Sequence, residues 1–319
     1  MRPRRAVVLG GSGFLGRHVC DAFVAAGAEV IAVSRRLDRL PGTRCVRLDV
    51  AETPPGTLRD LLAAAAPTVV VNAAGGVWGV SEEQQIASNV TLVRNVVAAV
   101  AGLPRPARLI HLGSVHEYGP VAVGQPIDES TAPNPVDPYG RTKLIGSRHV
   151  LAACAAGRVD AAVLRVVNVT GPGAPAGSLL GRVAGQLRAA AGTGEPAVLR
   201  LAPLRALRDF VDVRDVARAV VAAATSPVCG AVVNIGRGEA VSVRWLVDTL
   251  IAASGLPARV VESVDPGAAA RGAGIEWQEI DPATAHRLLG WRARWALTDS
   301  LCALWHETRA GLAPQSTTP

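Results

Sequence analysis

Ala6-Val7-Val8-Leu9-Gly10-Gly11-Ser12-Gly13-Phe14-Leu15-Gly16 is the stretch that decides the fold of this 319-residue chain. Four consecutive apolar residues read as a strand buried on both faces. The glycines follow at once. A helical pattern comes next and ends at Ala26-Gly27, where glycine suits a helix C-terminus. A second strand is expected over Glu29 to Val33. Strand, glycine loop, helix, strand is the context in which such a loop holds a dinucleotide. Gly10 permits the tight turn, Gly13 lets the backbone approach a pyrophosphate, and Gly16 lets the helix pack on the sheet. The helix N-terminus faces the phosphates, and Ser12, Phe14 and Leu15 complete the binding loop. The spacing is G-x-x-G-x-x-G.

The end of the second strand selects the cofactor. An NAD site places an acid there for the ribose 2′-hydroxyl. Here the residues are Ser34-Arg35-Arg36, without an acid. Ser34 is expected to bond a 2′-phosphate oxygen and Arg35 to pair with it, so NADP(H) is favoured over NAD(H).

Further strands are expected at Arg44 to Leu48, Thr68 to Val71 and Arg108 to Leu112, with helical stretches between them. Alternating strands and helices predict an α/β fold, a Rossmann-type doubly wound parallel sheet. Ligands bind at the carboxyl ends of such strands. Ala73, Ala74 and Gly75 fall there, and so does Ser114.

Lys143 is the only lysine, and it follows Tyr139, one of two tyrosines, by four residues. One helical turn puts phenol and ammonium on the same face. The ammonium favours the phenolate and makes the phenol a usable proton donor near neutral pH.

Composition narrows the partners. The net charge is +7, but aromatics are 3% and the arginines are dispersed. Small phosphate-bearing anions therefore fit better than nucleic acid. No apolar run reaches the length of a membrane span. The start, Met1-Arg2-Pro3-Arg4-Arg5, imitates a signal peptide, but glycines break any apolar core, so a cytoplasmic location is expected. Five scattered cysteines without a C-x-x-C pair read as reduced, mostly buried thiols, with no metal site.

With these residues in place, the chain resembles the extended short-chain dehydrogenase/reductase family, in its nucleotide-sugar branch. The resemblance runs through the glycine loop, Asp49-Val50, Ser114 before Tyr118-Gly119, and the Tyr139/Lys143 pair. It continues through Leu164 to Pro172, Arg208 to Ala217, Asn234 to Gly238 and Leu289-Gly290-Trp291. It implies that Ser114, Tyr139 and Lys143 are catalytic. Tyr139 would be the acid/base, Lys143 would also bond the nicotinamide ribose, and Ser114 would bond the substrate oxygen. Asp49, Val50, Asn89 and Val166 would border the cofactor. His116 would lie against the substrate, and Asn168 and Arg208 would hold its diphosphate. The resemblance also implies a cofactor domain over 1–168, with 209–236 returning to it, and a smaller substrate-binding region over 169–319. A homodimer is expected.

Departures from the family pattern narrow the reaction. Nucleotide-sugar dehydratases carry an acidic pair after the Ser/Thr, where this chain has Val115 and His116. Bifunctional epimerase-reductases place a cysteine at the His116 position and a histidine at the Gly173 position. What remains resembles the 4-ketoreductases that finish deoxysugars for glycosylated natural products. The expected reaction is NADPH-dependent reduction of a dTDP- or GDP-linked 4-keto-6-deoxyhexose. A nucleotide-sugar 4-epimerase with retained NAD is one alternative. A non-catalytic NADP-binding regulatory protein is another.

Overall fold

A computed structural model describes residues 4–36, 38–76, 79–263 and 275–310. Residues 1–3 of the basic start lie outside them. At the centre is a sheet of seven parallel strands, labelled in chain order: β1 (Arg5–Leu9), β2 (Glu29–Ser34), β3 (Thr43–Arg47), β4 (Val69–Asn72), β5 (Arg108–Ser114), β6 (Asp160–Val166) and β10 (Ala231–Ile235). Their spatial order is 10-6-5-4-1-2-3. The order reverses between β1 and β4, which opens a crevice at their carboxyl ends. Val7, Val8, Leu9, Val70, Val71, Leu109 and Ile110 are fully buried because helices cover both faces.

On one face lie α1 (Phe14–Ala25) and α7 (Val213–Thr225), packed against each other. On the other lie α2 (Pro55–Ala65), α4 (Leu92–Ala101) and α5 (Pro138–Ala155). The short α3 (Glu82–Ile86) runs through a π-helical turn, Ala87–Thr91, into α4. Pro138 opens α5, where a missing N–H costs nothing, and the Asp137 carboxylate caps it by accepting from the Gly140 N–H at 2.6 Å.

A second layer follows β6. Strand β9 (Leu207–Asp212) is flanked by β7 (Asn168–Thr170), β11 (Ala240–Ser242) and β13 (Trp277–Gln278). Strand β8 (Ala197–Leu201) pairs with β12 (Ala258–Glu262). Helices α6 (Leu179–Ala191), α8 (Val243–Ser254) and α10 (Leu297–Ala310) close a separate core around Leu187, Leu199, Leu246, Leu250 and Leu301. The return to the main layer expected over 209–236 is made by α7 and β10, whereas β9 lies in the second sheet.

Helix α9 (Ala283–Leu289) leads to Trp291, which is buried and donates its indole N–H to the Asp215 carbonyl at 2.9 Å. The Asp215 carboxylate accepts from the N–H groups of Arg294 and Trp295, so this end of the chain is fastened to α7. The cysteines depart from the expected burial: Cys20 is buried, Cys45 and Cys154 are half-buried, and Cys229 and Cys302 are exposed. No helix among the described residues is long and apolar enough to cross a membrane.

Candidate active site

The glycine loop sits at the crevice between β1 and β4. Gly10 has φ +79°, and a Cβ there would fall 2.7 Å from the Ala74 nitrogen. A Cβ on Gly16 would fall 2.0 Å from the Gly10 carbonyl oxygen. The N–H groups of Gly10 and Gly11 both donate to the Val33 carbonyl, at 2.8 and 3.2 Å. Gly13 precedes α1 without a side-chain cap, so the first-turn N–H groups face whatever fills the crevice. The turn after β4 is braced against the loop: Ala73 donates to the Leu9 carbonyl at 3.0 Å, and Asn72 Oδ1 accepts from the Ala74 N–H at 3.2 Å. A backbone cradle that no side chain can occupy, at the uncapped start of a helix, fits a dinucleotide pyrophosphate.

At the end of β2 the Ser34 hydroxyl donates to the Arg36 carbonyl at 2.5 Å. Its single hydrogen is spent locally, so the guanidinium of Arg35, exposed like that of Arg36, is the donor left to meet a 2′-phosphate. After β3, Asp49 Oδ1 accepts from the Ala51 N–H at 3.0 Å, and Val50 is buried beside it. Val166 is buried at the end of β6.

Ser114 ends β5 and caps a short 3-10 turn. Its Oγ accepts from the His116 N–H at 3.3 Å, which leaves the hydroxyl hydrogen to donate. Tyr139 is half-buried in the first turn of α5, and Lys143 lies one turn on, buried to 6% exposure. Lys143 Nζ donates to the Leu112 carbonyl. Burial pulls its pKa from the usual lysine range to about 8, and the Glu117 carboxylate resists that fall. The His116 ring meets the Tyr139 ring edge-on with centroids 5.6 Å apart. His116 Nδ1 stands 3.5 Å from Asp137 Oδ2.

Asn89 occupies the π-helical turn at 1% exposure. Its Nδ2 donates to the Gly76 carbonyl and to Thr142 Oγ1, both at 3.2 Å, while its Oδ1 accepts from the Gly76 N–H at 3.3 Å. Asn89 therefore ties the turn after β4 to the helix that carries Tyr139 and Lys143. The wide turn is what brings it there, as such turns often do at functional sites. His111, expected as a satisfied core residue, is held at Nδ1 by Asn72 Nδ2 at 3.1 Å, while its Nε2 has no hydrogen-bond partner among the described residues. Burial, with Lys143 nearby, keeps its pKa well below the usual range, so the ring is neutral.

Sequence reasoning missed the acid beneath this site. Glu117 is fully buried and pairs with Arg165 Nε at 2.7 Å. Its other oxygen accepts from the Ser114 N–H at 2.9 Å and from Ser147 Oγ at 2.8 Å. The Arg165 guanidinium lies 4.4 Å over the Tyr118 ring, and the Tyr118 hydroxyl donates to Asn234 Oδ1 at 2.8 Å. A carboxylate within Val115-His116-Glu117-Tyr118, directly after the apolar strand that ends at Ser114, was the available signal.

The expected diphosphate residues divide. Both hydrogens of the Asn168 amide are spent inside the protein, on the Asp209 carbonyl at 3.1 Å and on Gln278 Oε1 at 3.0 Å. Arg208 is half-buried on β9 and donates to the Ile275 carbonyl at 3.2 Å. Burial lowers its pKa, opposed by the charge of Asp137 at the start of α5. Arg208 thus shares an edge of the site with Asp137, His116 and Tyr139. Gly173, with φ +71°, stands where the Arg17 guanidinium packs: a Cβ there would fall 1.2 Å from Arg17 Nη2. That Nη2 donates to the Pro172 carbonyl at 2.9 Å and pairs with Glu307 of α10 at 3.0 Å.

Comparison with known proteins agrees with this geometry. The sequence model of the NAD dependent epimerase/dehydratase family matches residues 6–236. The chain is 43% identical over 304 residues to a dTDP-6-deoxy-L-talose 4-dehydrogenase (NAD(P)(+)) from Kitasatospora kifunensis, covering 95% of each. It is 27% identical over 309 residues to GDP-6-deoxy-D-mannose reductase from Pseudomonas aeruginosa, covering 94% of this chain and 96% of that protein. The solved structure of MoeE5 in complex with UDP-glucuronic acid and NAD superposes with a TM-score of 0.82 at 29% identity, over 97% of this chain and all of that one.

Proposed function

The chain belongs to the NAD dependent epimerase/dehydratase family, and we propose that within it this protein uses NADPH to reduce the 4-keto group of a dTDP-linked 4-keto-6-deoxyhexose. The observation that carries this reading is the burial of the only lysine at the carboxyl end of β5, one turn from Tyr139. A buried ammonium is costly, so a chain that otherwise uses arginine would not keep one there for packing.

The nicotinamide, when bound, supplies the hydride. Tyr139 gives the proton that the carbonyl oxygen needs as it becomes a hydroxyl. The Ser114 hydroxyl donates to that oxygen as negative charge builds on it. Lys143 holds the ribose and keeps positive charge beside the phenol. Gly10, Gly13 and the α1 N-terminus hold the pyrophosphate, and Arg35 the 2′-phosphate. Arg208 is the charged side chain placed for the sugar-linked diphosphate. Gly173 has φ +71°, a backbone conformation that side-chain-bearing residues rarely adopt, and the Arg17 guanidinium lies beside it, which disfavours an acid/base side chain there and favours reduction without epimerisation.

The dTDP base is favoured over GDP by the likeness to the talose 4-dehydrogenase, whose name places it at C-4 of a dTDP-6-deoxysugar. We place the protein in the cytoplasm, in deoxysugar formation for a glycosylated product. We also propose a homodimer through the α5 surface, where Ile145 and, on α3, Ile86 are exposed. The test is NADPH consumption with a panel of dTDP- and GDP-linked 4-keto-6-deoxy sugars. Turnover of the dTDP compounds supports the reading, and inertness toward the whole panel defeats it.

A 4-epimerase with retained NAD is the second reading. It is favoured by the Ser34 hydroxyl being spent on the Arg36 carbonyl, which leaves one donor group fewer for a 2′-phosphate. Purification with stoichiometric bound NAD would select it.

A further inference from the structure

Cys154 lies in the last turn of α5, and Cys229 lies in the connection from α7 to β10. The two are 75 residues apart in sequence, yet their Sγ atoms are 2.9 Å apart. Both are free thiols. A disulfide bond is about 2.0 Å long, so closure asks the sulfur atoms to move together by about 0.9 Å. The surrounding backbone is already fixed. The Gly230 N–H donates to the Ala161 carbonyl at 2.8 Å, and Cys154 Sγ lies 3.8 Å from that same oxygen. Arg108 donates to the Val228 carbonyl and pairs with Asp160.

We propose that Cys154 and Cys229 form a reversible intramolecular disulfide on exposure to a low-molecular-weight disulfide, fastening the edge strand β10 to the end of α5. Cys229 is exposed and is the point of entry. Its thiolate attacks one sulfur of the small disulfide, and one small thiol leaves. Cys154 then attacks the mixed disulfide at Cys229, and the second small thiol leaves. Two protein thiols are oxidised, one small disulfide is reduced to two thiols, and each attacking cysteine gives up its proton. The hydrogen bond with Cys154 raises the Cys229 pKa, so the reaction quickens as pH rises.

The consequence follows from position. β10 is one of the two edges of the sheet, bonded on one side only, to β6, so a restraint at its amino end acts on a strand with a single ladder of hydrogen bonds. Cys154 and Cys229 flank the amino ends of β6 and β10, while Ser114 and Asn168 lie at the carboxyl side. The bond restrains the edge without touching the catalytic groups. In a reducing cytosol the thiols stay apart, so the bond is conditional.

The full-length protein would be equilibrated over a series of glutathione disulfide to glutathione ratios, then denatured and alkylated. Accessible thiols should fall from five to three, with one cross-linked peptide pair containing Cys154 and Cys229. The melting temperature should rise and hydrogen exchange in Ala231–Ile235 should slow, both reversed by dithiothreitol. Cys229→Ser should abolish these changes and leave turnover unaltered, whereas Cys302→Ser should abolish none of them. The proposal is overturned if Cys229 carries glutathione while Cys154 stays alkylatable at every ratio. It is equally overturned if the lost thiols map to Cys302 cross-links between copies.

Discussion

The ammonium of Lys143 donates to the main-chain carbonyl of Leu112, two residues before Ser114 on the same strand. One hydrogen bond thus sets the helix that bears Tyr139 against the strand that bears the serine. The charged group that faces this ammonium is Glu117 from the 3-10 turn, backed by Arg165 of β6, while the Tyr139 phenol lies one turn back on its own helix. The neutral His111 ring adds no charge. With the Lys143 pKa near 8, the ammonium persists below that pH and is lost above it. We expect kcat/KM to fall on a basic limb near pH 8, read from initial rates across pH. Lys143→Arg should lose most of the turnover, because a planar guanidinium does not fit the space of a compact ammonium.

Burial of that charge also opposes folding. The folded pKa lies below the unfolded value of 10.5, so the penalty is fully present below about pH 8 and is relieved as pH rises toward 10.5. Its size is on the order of 3 kcal/mol. Lys143→Met should therefore be inactive yet unfold at a denaturant midpoint no lower than the parent at pH 7. A large drop would make the lysine a structural residue.

Tyr139→Phe should keep the fold and the cofactor affinity while turnover drops about 10²–10⁴-fold, the usual share of general acid catalysis. Near-parental rates would assign the proton to another group, with His116 the first to examine.

Glu117 supports the site from below. Glu117→Ala strands the buried Arg165 guanidinium and the Ser114 N–H, and should cost about 3–5 kcal/mol in denaturant unfolding. Glu117→Gln keeps an acceptor for Ser114 and Ser147 but removes the charge that holds the Lys143 pKa up. Its basic limb should shift to lower pH, which a purely structural role would not produce.

Arg35→Asp should reverse or erase a preference for NADPH over NADH in direct binding measurements, since an acid repels the 2′-phosphate and accepts from a ribose hydroxyl. Equal affinities in the parent would remove Arg35 from the cofactor site. Arg208→Ala should weaken sugar-nucleotide binding by roughly 1.5–3 kcal/mol with cofactor binding intact.

What the sequence determined by itself was local in character. The buried strand Ala6 to Leu9, the glycine spacing through Gly16 and the four-residue step from Tyr139 to Lys143 follow from periodicity, backbone sterics and helical geometry, and each is written within a dozen residues. The tertiary structure decided what depends on contacts across the chain. Glu117 meets Arg165 across 48 residues, Arg17 reaches Pro172 across 155, and Asn168 is spent on Gln278 across 110. No periodicity records such pairings. A buried charge is tolerated only where its partner lies in space, and a hydroxyl or amide is available to a ligand only if folding has not already used its hydrogens. For that reason Ser34 and Asn168 read from sequence as ligand donors and proved engaged with the protein, and Cys154 and Cys229 read as scattered thiols and proved to be neighbours.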